Sequence, residues 1–216
     1  MIDIIIVGED AVTREIIKRL LRHTGKEFNV IREEPIRGGE IKKKILGYNR
    51  LELPVCVLTD LDESDCPPLL IKEWFKEMPI NPNLIFRVAC DESESWLMAD
   101  KTGFSKFLGI KKEILPGLKK PDFRNPYNVE LNFPYKPSLY MMRELAVKSS
   151  KKIIVQQLTP RKGAKKGPEY NTALLPFIQR YWNIDEAVKN SYSLGKAVKL
   201  NGLPNSHRFK NFLKKV

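Results

Sequence analysis

Histidine is nearly absent from this 216-residue chain and cysteine is scarce. Only His23 and His207 occur, too few and too far apart to suggest a histidine-based metal centre. Cys56, Cys66 and Cys90 are odd in number and lack Cys-x-x-Cys spacing, which argues against a disulfide framework and against a zinc site. They read as ordinary thiols. No run of about 18 consecutive apolar residues is present, so no membrane span is expected. The chain opens directly into a strand-like run, without a basic leader or a small-residue cleavage site, and so reads as a soluble cytoplasmic protein. It also has no Gly-x-x-x-x-Gly-Lys-Ser/Thr phosphate loop, no internal repeat and no low-complexity tract.

What the chain does have is a core and an uneven charge. Hydrophobic residues make up 42%, enough for one large domain or two small ones. The net charge is +12, but residues 1–110 hold 16 Lys and Arg against 19 Asp and Glu, whereas residues 111–216 hold 22 against 7. A basic half attracts polyanions, which favours nucleic acid as partner, DNA before RNA.

The N-terminal half alternates short β-branched runs with helical spacing. Residues 2–7, 54–58 and 84–89 are strong strand candidates, and residues 28–31 are a weaker one. Val12, Ile16, Ile17, Leu20 and Leu21 recur at helical spacing, with Asp10 placed to cap the helix start. Gly38-Gly39 before Lys42, Lys43 and Lys44 reads as a basic loop or a helix start. Residues 69–78 read as a helix, introduced by Pro67-Pro68, which suit a first turn. Repeated β-α-β units favour a parallel sheet flanked by helices.

The second half differs. Gly117, Pro121, Asn125-Pro126 and Pro134 crowd between Pro116 and Pro137, as in a linker or surface loop. Helical patterns follow at Leu139, Met142, Leu145 and Ala146, then at Leu174, Leu175, Phe177, Ile178 and Tyr181, then over residues 184–188 and 194–200. Residues 153–158 fit strand or helix equally. The expected organisation is an α/β metal-binding domain over 1–111, a Pro-rich connection over 112–136, and a basic, mainly helical region over 137–216.

Three acids focus the functional reading. Glu9 lies just past the first apolar run, and Asp60 and Asp62 end the second. In a parallel sheet the C-terminal ends of adjacent strands lie side by side, so these acids are expected to converge on one crevice. Magnesium prefers oxygen ligands and keeps several waters, so two or three carboxylates and a substrate phosphate complete a site. The expected cofactor is Mg²⁺ or Mn²⁺.

The pattern Val7-Gly8-Glu9-Asp10 with Leu58-Thr59-Asp60-Leu61-Asp62 resembles the TOPRIM signature of topoisomerases, primases and overcoming-lysogenization-defect (OLD) nucleases. More specifically, the chain is similar to an uncharacterised family of bacterial TOPRIM-like proteins. The resemblance rests on Thr59-Asp60-Leu61-Asp62 with Cys66-Pro67-Pro68, on Phe86-Arg87-Val88-Ala89, on the run from Glu94 to Asp100, and on the run from Lys162 to Asn171. It departs in one respect: the usual TOPRIM glutamate precedes a glycine, whereas here Gly8 precedes Glu9, so Asp10 shares the candidacy. The resemblance implies Asp60 and Asp62 as metal ligands and Glu9 as a ligand or general base. Asp91, Glu92 and Glu94 follow the next strand as candidates for a second ion, with Glu94 favoured and expected to face outward. It also implies a metal-dependent nuclease with a role in phage or plasmid defence. Related nucleases work with an ATPase, which here must be a separate protein.

Simpler readings stand beside these. Asp10 serves equally as a helix cap, and Asp62, Glu63 and Asp65 as a solvated turn. Trp74 and Trp96 read as core anchors before base-stacking residues. Arg161, Lys162, Lys165 and Lys166 form a soluble loop or, through the open backbone of Gly163 and Gly167, a phosphate contact; Lys42, Lys43 and Lys44 are the alternative. Two rival functions are a catalytically silent nucleic-acid- or partner-binding subunit and a receiver-like phosphoacceptor domain. The receiver is disfavoured by the absence of a hydroxyl residue after the fourth strand and of a following strand-Lys-Pro element.

Overall fold

Four consecutive apolar residues, 4–7, at the heart of strand β1 (Ile2–Gly8) set the architecture, because a strand buried on both faces calls for a sheet covered by helices on both sides. Ile5 and Val7 enter one core cluster with Ile41, Ile45, Val57, Leu70, Trp74 and Phe86. Ile4 and Ile6, pointing the other way, are also fully buried. The computed structural model describes residues 1–120 and 129–199. The expectations placed on Pro121, Asn125, Pro126, residue 200 and His207 lie outside that set.

The described residues form two compact units. The first comprises residues 1–90 with 196–199 and carries a four-stranded, all-parallel sheet in the order β2-β1-β3-β4. β2 is Phe28–Pro35, β3 Val55–Asp60 and β4 Leu84–Ala89. Helix α1 (Ala11–His23) packs on β1, β2 and β3, while α2 (Gly38–Tyr48) and α3 (Pro67–Phe75) pack on each other. α1 starts where Asp10 accepts a hydrogen bond from the Thr13 backbone N–H at 3.0 Å. α3 starts on its two prolines and stops at Lys76, whose φ of 49° turns the chain into the left-handed region. It therefore ends three residues before the expected position 78.

β2 and β4 are the edge strands, and β2 is the polar one. Its charged residues Arg32, Glu33 and Glu34 face solvent wholly or partly, a composition that discourages pairing with a further strand. The register against β1 slips between Ile4 and Ile5, which leaves Ile31 as the extra residue of a bulge.

The second unit spans residues 91–195 and is helical: α4 (Ser93–Ala99), α5 (Lys101–Leu108), α6 (Pro137–Tyr140), α7 (Lys152–Leu158), α8 (Tyr170–Pro176), α9 (Ile184–Ala187) and the start of α10 (Tyr192–Val198). The chain therefore divides after Cys90 and not near Lys111. α4 packs on α6 and α9, and α5 packs on the turn Phe177–Tyr181 that continues α8. Trp96 and Trp182 are core residues: the Trp96 indole donates to Ser193 Oγ at 2.8 Å, and the Trp182 indole donates to the Trp96 carbonyl at 3.3 Å. In the segment expected to be a linker, Leu118 and Leu131 form an antiparallel bridge flanked by Lys119 N–H to Glu130 O at 2.7 Å. Residues 153–158 are helical, because Ile154 and Leu158, four apart, share a buried face. Among the described residues no helix is long and apolar enough to cross a membrane.

Candidate functional site

β1 and β3 are hydrogen-bonded neighbours, with Ile5, Ile6 and Val7 opposite Val55, Cys56 and Val57. The chain leaves β1 towards β2 on one side and returns to β3 on the other. Strand order reverses between them, the position at which open parallel sheets generally place a binding crevice, at the C-terminal ends of the strands. Glu9 follows β1 after Gly8, Asp60 is the last residue of β3, and both are half-buried. Leu61 is held down by its N–H to the Ala89 carbonyl at 2.9 Å. Asp62 then takes φ 47° and stands exposed, so the chain turns away from the strand directly after Leu61.

Asp10 has a structural task at this edge. Its Oδ1 accepts from both the backbone N–H and the hydroxyl of Thr13, at 3.0 and 3.2 Å. Gly8 is required by packing: a Cβ there would sit 2.9 Å from Thr13 Cγ2. The glycine before Glu9 thus serves the approach of α1 to the strand end. Arg14, which sequence reasoning missed, also belongs here; its Nη1 donates to the Gly8 carbonyl at 3.2 Å and its Nε lies 3.5 Å from Glu33. Its position one helical turn after the capping Asp10 is the signal that could have found it.

The donor chemistry of Glu9, Asp60 and Asp62 suits a hard divalent ion, since all are carboxylates. Among the described residues, no three His, Cys, Asp or Glu side chains close around one point as a metal-holding group. An ion that keeps most of its waters needs only one or two carboxylates and a substrate phosphate, so the open edge fits that kind of binding and not an all-protein cage. Cys56, behind this edge, is buried, and its thiol is pushed up to about 12 by burial, an unreactive state.

The acids after β4 lie in the second unit, each with a partner of its own. Asp91 pairs with Lys119 at 3.2 Å, and Glu92 accepts the Ser138 backbone N–H at 2.7 Å with Lys136 at 3.8 Å. Glu94 does not face outward. It is buried, accepts the phenolic hydrogen bond of Tyr170 and lies 3.4 Å from Ser93 Oγ. Every residue of α4 is buried, so helical periodicity could not reveal which side the acid would take.

The basic candidates separate clearly. Arg161, Lys162, Lys165 and Lys166 are all exposed in the loop between α7 and α8, and Lys166 lies 4.5 Å from the ring centre of Tyr170. Lys42, Lys43 and Lys44 are exposed on α2, where Lys42 is engaged by Glu73 at 2.5 Å. Compared with known protein families, curated proteins and solved structures, the chain matches none.

Proposed function

We propose that the chain is a TOPRIM-like, Mg²⁺- or Mn²⁺-dependent nuclease that hydrolyses phosphodiester bonds at the edge formed by Glu9, Asp60 and Asp62. The observation that carries this reading is the register of β1 and β3: two acids leave adjacent parallel strands at the one point where strand order reverses. A bound divalent cation supplies positive charge against the phosphate as negative charge accumulates on it. In this reading Asp60 and Asp62 hold the ion and orient the scissile phosphate. Glu9 takes a proton from the attacking water through its carboxylate, as the water oxygen bonds to phosphorus and one ester P–O bond breaks. The lysine-rich loop of the second unit holds the rest of the nucleic acid. A separate ATPase partner and a place in phage or plasmid defence follow from the resemblance to OLD-type nucleases.

A second reading has its own support. The order β2-β1-β3-β4 is also the beginning of the flavodoxin-like order, in which receiver-like phosphoacceptors carry an acid pair after the first strand and an aspartate after the third. Against it, Cys90 follows β4, and no fifth strand continues the sheet among the described residues. Plasmid cleavage that requires a divalent metal supports the nuclease. Labelling of Asp60 by acetyl phosphate, with no cleavage, supports the receiver. A silent subunit binds nucleic acid and does neither.

A further inference from the structure

We infer that Arg143 and Thr159 form, with Arg161 and Lys165, a pocket for a single backbone phosphate of nucleic acid. This rests on the proposed function and assigns a built site to what was otherwise only a charged loop. The four residues line one cavity of about 380 Å³ in the second unit, at the small end of the roughly 300–1,000 Å³ usual for ligand pockets. No acidic side chain lines it. Among the described residues no carboxylate forms an ion pair with Arg143, Arg161 or Lys165. Three cations sharing one depression repel each other, and an anion relieves that repulsion.

The hydroxyl of Thr159 points to a ligand independently of charge. Its oxygen is buried and has no hydrogen-bond partner, which costs free energy unless a guest supplies one. A phosphate oxygen accepts such a bond. Arg143 lies on the π-helical turn Met141–Leu145, a local widening often found at functional sites, and its guanidinium suits the planar fork that phosphate accepts.

The loop is also held in shape. Ala164 N–H closes a turn onto the Arg161 carbonyl at 2.9 Å, and Gly163 takes φ 82°. Gly167 passes so close to the end of α7 that a Cβ would meet the Leu158 carbonyl oxygen at 2.4 Å. Farther along, Glu169 N–H returns to the Gln157 carbonyl at 3.0 Å. Arg161 and Lys165 are thereby presented from an anchored loop, with little ordering left to complete on binding. Lys162 and Lys166 are not among the lining residues.

The test is fluorescence anisotropy of a labelled DNA duplex against the full chain over a salt series. It compares the wild type with Arg143→Gln, Thr159→Val and Arg180→Gln, the last removing an exposed charge elsewhere in the same unit. Arg143→Gln is expected to weaken duplex binding several-fold more than Arg180→Gln; with Arg161→Gln and Lys165→Gln added, so that the phosphate loses all three cations, the log–log salt slope is expected to fall by roughly 0.9. Thr159→Val is expected to weaken binding with the slope intact. If Arg143→Gln and Arg180→Gln behave alike while the wild type binds duplex, the pocket assignment is overturned and the nuclease reading stands. If the wild type binds no nucleic acid, both fall. Calorimetric titration with inorganic phosphate separates the sources: binding of free phosphate abolished in Arg143→Gln, with duplex binding unaffected, overturns the backbone assignment in favour of a small phosphate ligand.

Discussion

Val7 of β1 stands opposite Val57 of β3, so Glu9 lies two residues and Asp60 three residues past the same rung of the sheet. The parallel direction makes the two acids leave at a single edge. In an antiparallel pair they would leave at opposite ends. The proposed metal chemistry depends on this relationship.

If the edge binds a divalent ion, Mg²⁺ or Mn²⁺ stabilises the folded chain by mass action. Added at about a hundred times its dissociation constant, the ion contributes about 2.7 kcal/mol, visible as a rise in melting temperature by differential scanning fluorimetry. Asp60→Asn combined with Asp62→Asn is expected to erase the rise. An undiminished rise in that double variant would put the ion elsewhere.

Tyr170 donates to the buried carboxylate of Glu94. Tyr170→Phe keeps the ring and deletes the donor, so a cost of about 1–3 kcal/mol is expected in urea unfolding. Glu94→Gln separates the two roles of this acid. A structural acid predicts altered stability with turnover per folded molecule intact, whereas a catalytic one predicts slowed turnover with binding largely retained.

Glu130 is buried in the second unit, where Ser191 Oγ donates to it at 2.8 Å and Ser193 N–H at 2.6 Å. Burial raises its carboxyl above the ordinary 4.5, and the bonds from Ser193 and Ser191 oppose the rise without cancelling it. The folded chain therefore holds this proton more tightly than the unfolded one. That contribution is complete below pH 4.5 and fades as pH climbs through the raised folded value. Glu130→Gln, which cannot ionise, is expected to flatten this limb of stability against pH in chemical denaturation. Parallel curves for wild type and variant would contradict it.

The strands legible in the sequence are those buried on both faces. β1, β3 and β4 are dominated by apolar residues, broken only by Asp3, by Thr59-Asp60 at the end of β3 and by Arg87, whereas β2 is visible only in its first half because residues 32–34 are charged edge positions. The acids of the first unit can be placed because each follows a strand end, and the β-α-β rhythm makes those ends adjacent. Glu94 points inward, against expectation, because α4 is buried all round and offers no polar face to read. Arg143 and Thr159 carry no local signal at all; 16 positions apart in sequence, they meet only because the segment before α7 and the loop after it flank one depression.

The basic loop provides a test of substrate gripping that is independent of catalysis. Lysine ammonium groups act as point charges, so their binding should ignore base sequence and weaken steeply with salt. Replacing Lys162, Lys165 and Lys166 by Gln is expected to lower affinity for all duplex sequences alike, with the slope reduced by roughly 0.9 for each phosphate no longer neutralised. An unchanged slope would move the binding surface, with Lys43 and Lys44 on α2 the next candidates.

The nuclease reading is tested most directly by incubating supercoiled plasmid with wild-type protein and with Asp60→Ala, in Mn²⁺ and in EDTA, and resolving the products on a gel. Circular dichroism checks that the variant is folded. The account predicts nicked or linear plasmid only with wild-type protein in Mn²⁺, and intact plasmid in the other three lanes. Equal cleavage by Asp60→Ala, or full cleavage in EDTA, would contradict it.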